Sequence, residues 1–162
     1  MRNRPTIALI ATCLLGGATL LYSCKKSEAP PSAPQIALLD VTPRSVVAAN
    51  PEDTVFISMS FEDKNGDVGV GTSTSDYDLF LIDSRDSSQI GYRIPQLPSE
   101  TNEEKPGLKG TIILAVEAFG LILREDSLHT ETDTLSWKIY IKDLAGHTSN
   151  TITTPEVVLR AK

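Results

Sequence analysis

Two stretches of this chain alternate strictly between apolar and polar residues, and they align without a gap at an offset of 80 positions. Residues 53–68 read DTVFISMSFEDKNGDV, and residues 133–148 read DTLSWKIYIKDLAGHT. A period of two over this length indicates a β-strand with one buried face. The side chains predicted to be buried are Val55, Ile57, Met59, Phe61, Leu135, Trp137, Ile139 and Ile141. The similarity between these two stretches is better explained by convergence on the same strand-and-turn sequence than by duplication. Both explanations stay open.

The rest of the chain fits the same plan. Five further segments, residues 35–41, 77–83, 89–94, 110–118 and 148–159, are short, rich in β-branched or aromatic residues and separated by turn residues. Pro155 breaks the last of them, which suits an edge strand or a bulge. About seven strands at this spacing predict an all-β, antiparallel β-sandwich.

The N-terminus has the layout of a secretory signal peptide. Arg2 and Arg4 precede an uncharged segment of about 15 residues, which is too short to cross a bilayer comfortably. That segment ends at residues 21–24, Leu-Tyr-Ser-Cys, which resemble a bacterial lipobox in which Tyr22 replaces the usual small residue. The resemblance implies cleavage before Cys24, lipidation of its thiol and attachment to a membrane through the lipid.

The chain therefore divides into three predicted parts. Residues 1–23 are a lipoprotein signal peptide, residues 24–34 are the lipidated cysteine with a Pro/Ser/Ala-rich tether, and residues 35–162 are the sandwich domain. The only cysteines, Cys13 and Cys24, precede the domain. Its stability must therefore come from a buried core without disulfides. A lysine, not an aspartate, follows Cys24, which favours the outer membrane of the cell envelope and leaves the membrane face open.

The charge of the chain bears on its partners. The net charge is −6, and loss of Arg2 and Arg4 with the leader lowers it to −8. An acidic domain without a basic stripe cannot release counterions from phosphate groups. Nucleic-acid binding is therefore excluded as a main role.

Two turn sequences carry a resemblance to known domains. Residues 141–150 resemble the penultimate hairpin of bacterial immunoglobulin-like and fibronectin type III-like domains, whose usual wording is Asp-x-Ala-Gly-Asn-x-Ser. Residues 61–69 resemble a hairpin of short lipoproteins from Gram-negative bacteria. The resemblance covers most of residues 36–159 and implies an immunoglobulin-like sandwich. The disulfide of antibody domains is missing, and Trp137 is the residue expected in its central volume.

One loop is a candidate calcium site. Asp63, Asn65 and Asp67 place oxygen-bearing side chains at alternate positions, and a hard cation such as Ca²⁺ prefers oxygen ligands. Neighbouring loops offer further carboxylates at Asp76, Asp78 and Asp143. The EF-hand pattern fails, because the sixth loop position is valine and the twelfth is threonine. Turn chemistry without a metal is the favoured alternative, since Asn-Gly and Asp-x-x-Gly are common turn sequences.

An enzymatic role is not expected. The histidines, His129 and His147, belong to no metal-ligand motif and are interpreted as solvated turn residues. The domain has no cysteine nucleophile, no Gly-x-Ser-x-Gly elbow and no dinucleotide fingerprint. A carboxylate pair suited to glycoside hydrolysis is the one catalytic arrangement left open.

Binding is the broader prediction. Phe56 and Tyr140 occupy positions of the two alternating strands whose side chains are predicted to face outward. An exposed pair there could contact a sugar or a protein. The loop at residues 119–132 could instead cover them. We expect a membrane-anchored, non-catalytic interaction or scaffolding module with an envelope protein or glycan as partner. The alternatives are a calcium-stabilised structural domain and an accessory glycan-binding protein.

Overall fold

The computed structural model describes residues 32–69, 76–95, 107–124 and 131–162. These residues form ten strands and one 3₁₀ turn at Ala118–Gly120. The strands are β1 (Gln35–Thr42), β2 (Ser45–Val47), β3 (Thr54–Asp63), β4 (Leu79–Asp83), β5 (Gln89–Tyr92), β6 (Leu108–Glu117), β7 (Thr132–Leu135), β8 (Trp137–Ile141), β9 (Ile152–Thr153) and β10 (Val157–Arg160). Across these ranges no helix has the length and apolar character needed to span a bilayer.

The strands form two layers. One is the antiparallel sheet β1-β3-β6, and the other combines the sheets β5-β4-β8-β9 and β2-β10-β7. Only Ser136 separates β7 from β8, and a backbone bond of 2.9 Å from Thr154 N–H to the Trp137 carbonyl spans the gap between β9 and β10. The predicted all-β sandwich is confirmed, with ten strands in place of about seven. Local breaks divide two of the longer predicted runs, and β2 matches none of the predicted segments.

The core consists of the side chains that the alternation predicts. Each of the eight predicted inward residues of β3, β7 and β8 is at most 4% exposed, and Trp137 is 1% exposed. The strands β3 and β8 lie centrally in their sheets, so their apolar faces meet across the sandwich. Asn150, which follows β8 in the segment 141–150, ties the layers together, because its side chain exchanges two 2.8 Å hydrogen bonds with the backbone of Ile36.

The two edges of the sheet β1-β3-β6 differ. The edge strand β1 has a register shift between Leu38 and Asp40, which is a bulge. The opposite strand, β6, pairs with β3 without interruption over all ten residues from Leu108 to Glu117. Within the described ranges, β6 has no second strand partner.

Strand β2 closes the other layer. It runs parallel to β10, with Ser45, Val46 and Val47 opposite residues 158–160. Val46 is buried, and the Val47 N–H donates to the Asp53 carboxylate at 2.7 Å. Three residues are too few for a visible period of two, so the sequence does not predict this strand.

Several predictions about segments meet the structure only in part. The strand predicted over residues 110–118 begins two residues earlier, at Leu108, and ends at Glu117, while residues 96–106 lie outside the described ranges. Cys24, the predicted leader and the predicted tether as far as residue 31 also lie outside them. Pro34, the last residue of the predicted tether, is buried, so packing begins just before Gln35.

Candidate metal centre

The candidate site is built from two similar turns at one end of the sandwich. Asp63 ends β3, and one of its carboxylate oxygens, Oδ2, accepts the N–H of Asp67 at 2.7 Å. Asp143 follows β8, and its Oδ1 accepts the N–H of His147, again four residues later and at 2.7 Å. The glycines before the donors, Gly66 and Gly146, have φ values of +72° and +88°, which L-residues with a side chain rarely adopt. These two turns explain why residues 63–66 and 143–146 share the sequence pattern Asp-x-x-Gly.

The two turns are held against each other by backbone pairing. Val68 forms an isolated antiparallel bridge with Asp143, and the N–H of Leu144 donates to the carbonyl of Asp67 at 3.0 Å. This pairing brings a third carboxylate to the first two. One oxygen from each of Asp63, Asp67 and Asp143 lies within 4.8 Å of the other two.

Burial makes this grouping costly without a counter-charge. Asp63 is 1% exposed and Asp143 is 5% exposed. The Oδ1 atoms of Asp63 and Asp67 are buried and accept no hydrogen bond from any described residue. A buried polar atom without a partner costs about 1–3 kcal/mol, and a charged one costs more. The turn chemistry therefore satisfies only part of the carboxylate oxygens.

The electrostatics of Asp67 point the same way. Burial raises the pKa of the Asp67 carboxyl above its ordinary value of 3.8, and the nearby charges of Asp143 and Asp63 raise it further. Each effect disfavours the ionised form of Asp67. A cation among the three carboxylates would reverse this balance, because it attracts the charge that the neighbours repel.

The spacing suits calcium. Ca²⁺ binds six to eight oxygens at about 2.3–2.6 Å, so two ligands on one ion are at most about 5 Å apart. The three carboxylate oxygens, within 4.8 Å of one another, meet this limit. A site of this kind needs further oxygens, which water or backbone carbonyls supply in calcium proteins.

The other predicted calcium ligands are placed differently. Asn65 is exposed in the turn between Asp63 and Asp67. Asp78 is 1% exposed, but its Oδ1 accepts the N–H of Ile94 at 2.7 Å, which gives it a structural role beside the site. Asp76 does not belong to the group of three carboxylates.

His147 is closer to the site than the sequence suggested. The sequence predicts a solvated turn residue, yet the Nδ1 atom of His147 lies 2.8 Å from Oδ2 of Asp143, while 37% of its side chain is exposed. The alignment of residues 53–68 with residues 133–148 contains a signal for this contact, because His147 occupies the position of Asp67 in the second turn. His129 lies outside the described residues.

The structure separates the predicted aromatic pair. Phe56 lies on β3 and is 43% exposed, whereas Tyr140 lies on β8 in the other layer. The ring of Tyr140 stacks on Phe80, with the ring centroids 4.9 Å apart. Phe56 and Tyr140 each point away from the core on different sheets, so the two side chains do not form one patch.

Comparison with protein families, characterised proteins and solved structures found no match to this chain.

Proposed function

We propose that this protein is a lipid-anchored, non-catalytic module of the cell envelope whose sandwich is stabilised by Ca²⁺ bound to Asp63, Asp67 and Asp143. The anchor rests on the lipobox resemblance at Cys24, and an immunoglobulin-like topology rests on the hairpin at residues 141–150. The calcium site rests on one observation above all. Two buried oxygens, Asp63 Oδ1 and Asp67 Oδ1, have no hydrogen-bond donor among the described residues and lie beside a third carboxylate.

The position of the site gives the ion a structural task. Asp63 ends a strand of the sheet β1-β3-β6, whereas Asp143 follows a strand of the facing layer. A cation held by both would link the layers at the end where the two turns meet. Ion binding to the folded state alone adds about 2.7 kcal/mol of stability when the free ion is about 100 times its Kd.

Thermal unfolding of the purified full chain in detergent tests this proposal. We expect the melting temperature to rise when millimolar calcium replaces a chelator, and we expect Asp63→Asn to abolish the rise. Asp40→Asn is the matched control, because it removes the same charge from an exposed position on β1. An equal rise in both variants would assign the effect to general screening, and an unchanged melt of the natural chain would refute the calcium site.

A comparison with magnesium distinguishes a site that is specific for calcium from one that binds any divalent ion. Mg²⁺ demands near-octahedral geometry at about 2.0–2.1 Å and keeps several waters. Magnesium is usually bound through one or two carboxylates, whereas a cluster of three protein carboxylates is typical of calcium sites. We expect calorimetric titration to give tighter binding of calcium than of magnesium.

Scaffolding is the second candidate function, and the exposed surface of one sheet favours it. Leu39, Phe56 and Ile113, which lie on the three strands of the sheet β1-β3-β6, are 56%, 43% and 67% exposed. Apolar side chains grouped on one face are typical of interaction surfaces.

A further inference from the structure

The outer edge of β6 presents a row of backbone groups for pairing. The N–H of Ala118 donates to the Asp53 carbonyl at 2.9 Å. Together with the register of β3 and β6, this bond determines which residues of β6 direct their backbone groups toward β3 and which direct them away from it. Residues 108, 110, 112, 114 and 116 therefore exchange hydrogen bonds with β3, and the odd-numbered residues direct their N–H and C=O groups to the outer edge. Within the described ranges no strand pairs with these groups.

This edge lacks the features that usually prevent pairing. Natural edge strands carry bulges, prolines or central charges. The other edge of the same sheet, β1, has a bulge between Leu38 and Asp40, and Asp40 adds a charge. Residues 110–116 of β6 read GTIILAV, without a charge, a proline or an irregularity in the ladder.

The charges on β6 are arranged symmetrically about Ile113. Lys109 lies four residues before it and Glu117 four residues after it. All three residues are exposed and lie on the outer face of the sheet. Two copies of β6 paired antiparallel with Ile113 opposite itself would place each Lys109 opposite the other copy's Glu117, at the separation of directly facing cross-strand residues.

The backbone agrees with that register. Ile113 is an odd-numbered residue, so its N–H and C=O face the edge, and two such residues can exchange both hydrogen bonds across a two-fold axis. The same holds at positions 109, 111, 115 and 117. Side chains and backbone groups thus select one register.

We propose that β6 is a homodimerisation edge, at which a second copy of this chain pairs antiparallel about Ile113 and extends the sheet β1-β3-β6 across both protomers. Facing Lys109 and Glu117 pairs set the register, and facing Ile113 side chains become buried. The centre of this interface, Ile113, pairs with Ser58 of β3, five residues before Asp63. The pairing uses the outer backbone edge of β6 and none of the three carboxylates, so it does not depend on calcium.

Zero-length carbodiimide cross-linking of a mixture of ¹⁴N and ¹⁵N full chains tests the contact directly. Within one chain, eight strand residues at about 3.3 Å each hold Lys109 and Glu117 about 26 Å apart, so no such link can form inside a protomer. We expect a Lys109–Glu117 amide joining peptides of different isotope content. If Glu117 links only to lysines of its own chain, such as Lys105, the edge is covered by the chain itself and the proposal is refuted.

Charge reversal tests the register. We expect sedimentation equilibrium of the full chain in density-matched detergent to show a dimer, and Glu117→Lys to raise the dimer Kd by at least about tenfold through facing lysines. Exchanging both charges, with Lys109→Glu added to Glu117→Lys, restores the pairing and the dimer. Lys138→Glu, an exposed reversal on β8 of the other layer, is the control and leaves the Kd unchanged.

A blocked backbone provides an independent test. Proline at position 113 removes only an N–H that faces the edge, so the ladder with β3 keeps its hydrogen bonds. Ile113→Pro should therefore abolish the dimer while the circular dichroism of the sheet persists. A monomeric natural chain at all accessible concentrations, or a dimer that survives both Glu117→Lys and Ile113→Pro, would overturn the proposal.

Discussion

Asp63 and Asp143 stand 80 residues apart and play the same part in their own turns, because each carboxylate accepts the N–H four positions later at 2.7 Å. Backbone pairing between the turns then places the two carboxylates in one cluster with Asp67. Local turn chemistry and long-range charge repulsion thus act on the same side chains. This conflict underlies the first prediction.

Asp67→Asn should stabilise the metal-free protein and remove its response to calcium. The asparagine carries no charge to be repelled by Asp63 and Asp143, and its amide can donate to the buried Oδ1 of Asp63. We expect the free energy of unfolding in chelator to rise by about 1 kcal/mol. Denaturant unfolding with and without calcium measures both effects. A loss of metal-free stability would show that the cluster is not under electrostatic strain.

Acid should destabilise the protein partly through Asp133. Burial alone would raise the pKa of this carboxyl, but hydrogen bonds from the Arg85 guanidinium and from the N–H groups of Arg124 and Thr134 outweigh it and hold the pKa below 3.8. A lowered pKa stabilises the fold fully above the unfolded value. This contribution is lost as the pH falls from about 4 through the folded pKa.

Replacing Asp133 tests that origin. Asp133→Asn removes the 2.7 Å ion pair with Arg85, whose side chain is 12% exposed and still contacts Asp83 at 2.7 Å. We expect a loss of about 1–3 kcal/mol at neutral pH and a shallower decline of stability below pH 4. Denaturant midpoints from pH 2 to 7 give both quantities. An acid profile that matches the natural chain would contradict the assignment, and Asp40→Asn serves as the control.

Trp137→Ala should be among the most damaging single changes in the domain. Trp137 is 1% exposed at the start of β8, and its volume cannot be refilled by neighbours that are themselves fully buried. Truncation of a buried tryptophan costs about 3–5 kcal/mol. Trp137→Phe keeps most of the ring volume and should cost less. Equal stability of the two variants, measured in urea, would contradict a tightly packed centre.

Cys24→Ser should abolish lipid attachment and release the protein from the membrane fraction. The matched control is Cys13→Ser, because Cys13 is the only other thiol in the chain. Mass spectrometry of the native protein and fractionation of the envelope check both variants. An unacylated chain that keeps its leader would refute the anchor.

The buried faces of the central strands could be predicted because they depend on a local signal. Alternation along β3 and β8 identifies Met59 and Ile139 as core residues, and both are fully buried. The same parity identifies Phe56 and Tyr140 as outward residues. It cannot assign them to a sheet, because sheet membership depends on long-range pairing, and the structure places them apart.

The candidate site could likewise be predicted only where its residues are close together in the sequence. Asp63 and Asp67 share one turn, so their proximity follows from the sequence. Asp143 joins them only through the bridge to Val68, 75 positions earlier in the chain. The network of Arg85 with Asp133 spans 48 residues and has no local signature at all.

The parallel pairing of β2 with β10 has a mechanical consequence. Near the start of the domain, Ser45, Val46 and Val47 lie beside residues 158–160 of the last strand and point the same way. Tension that pulls the two ends of the domain apart therefore slides these strands along each other, and the bonds between them resist together instead of opening one by one. Force transmitted through β1 to Val46 would therefore load all the bonds between β2 and β10 at once.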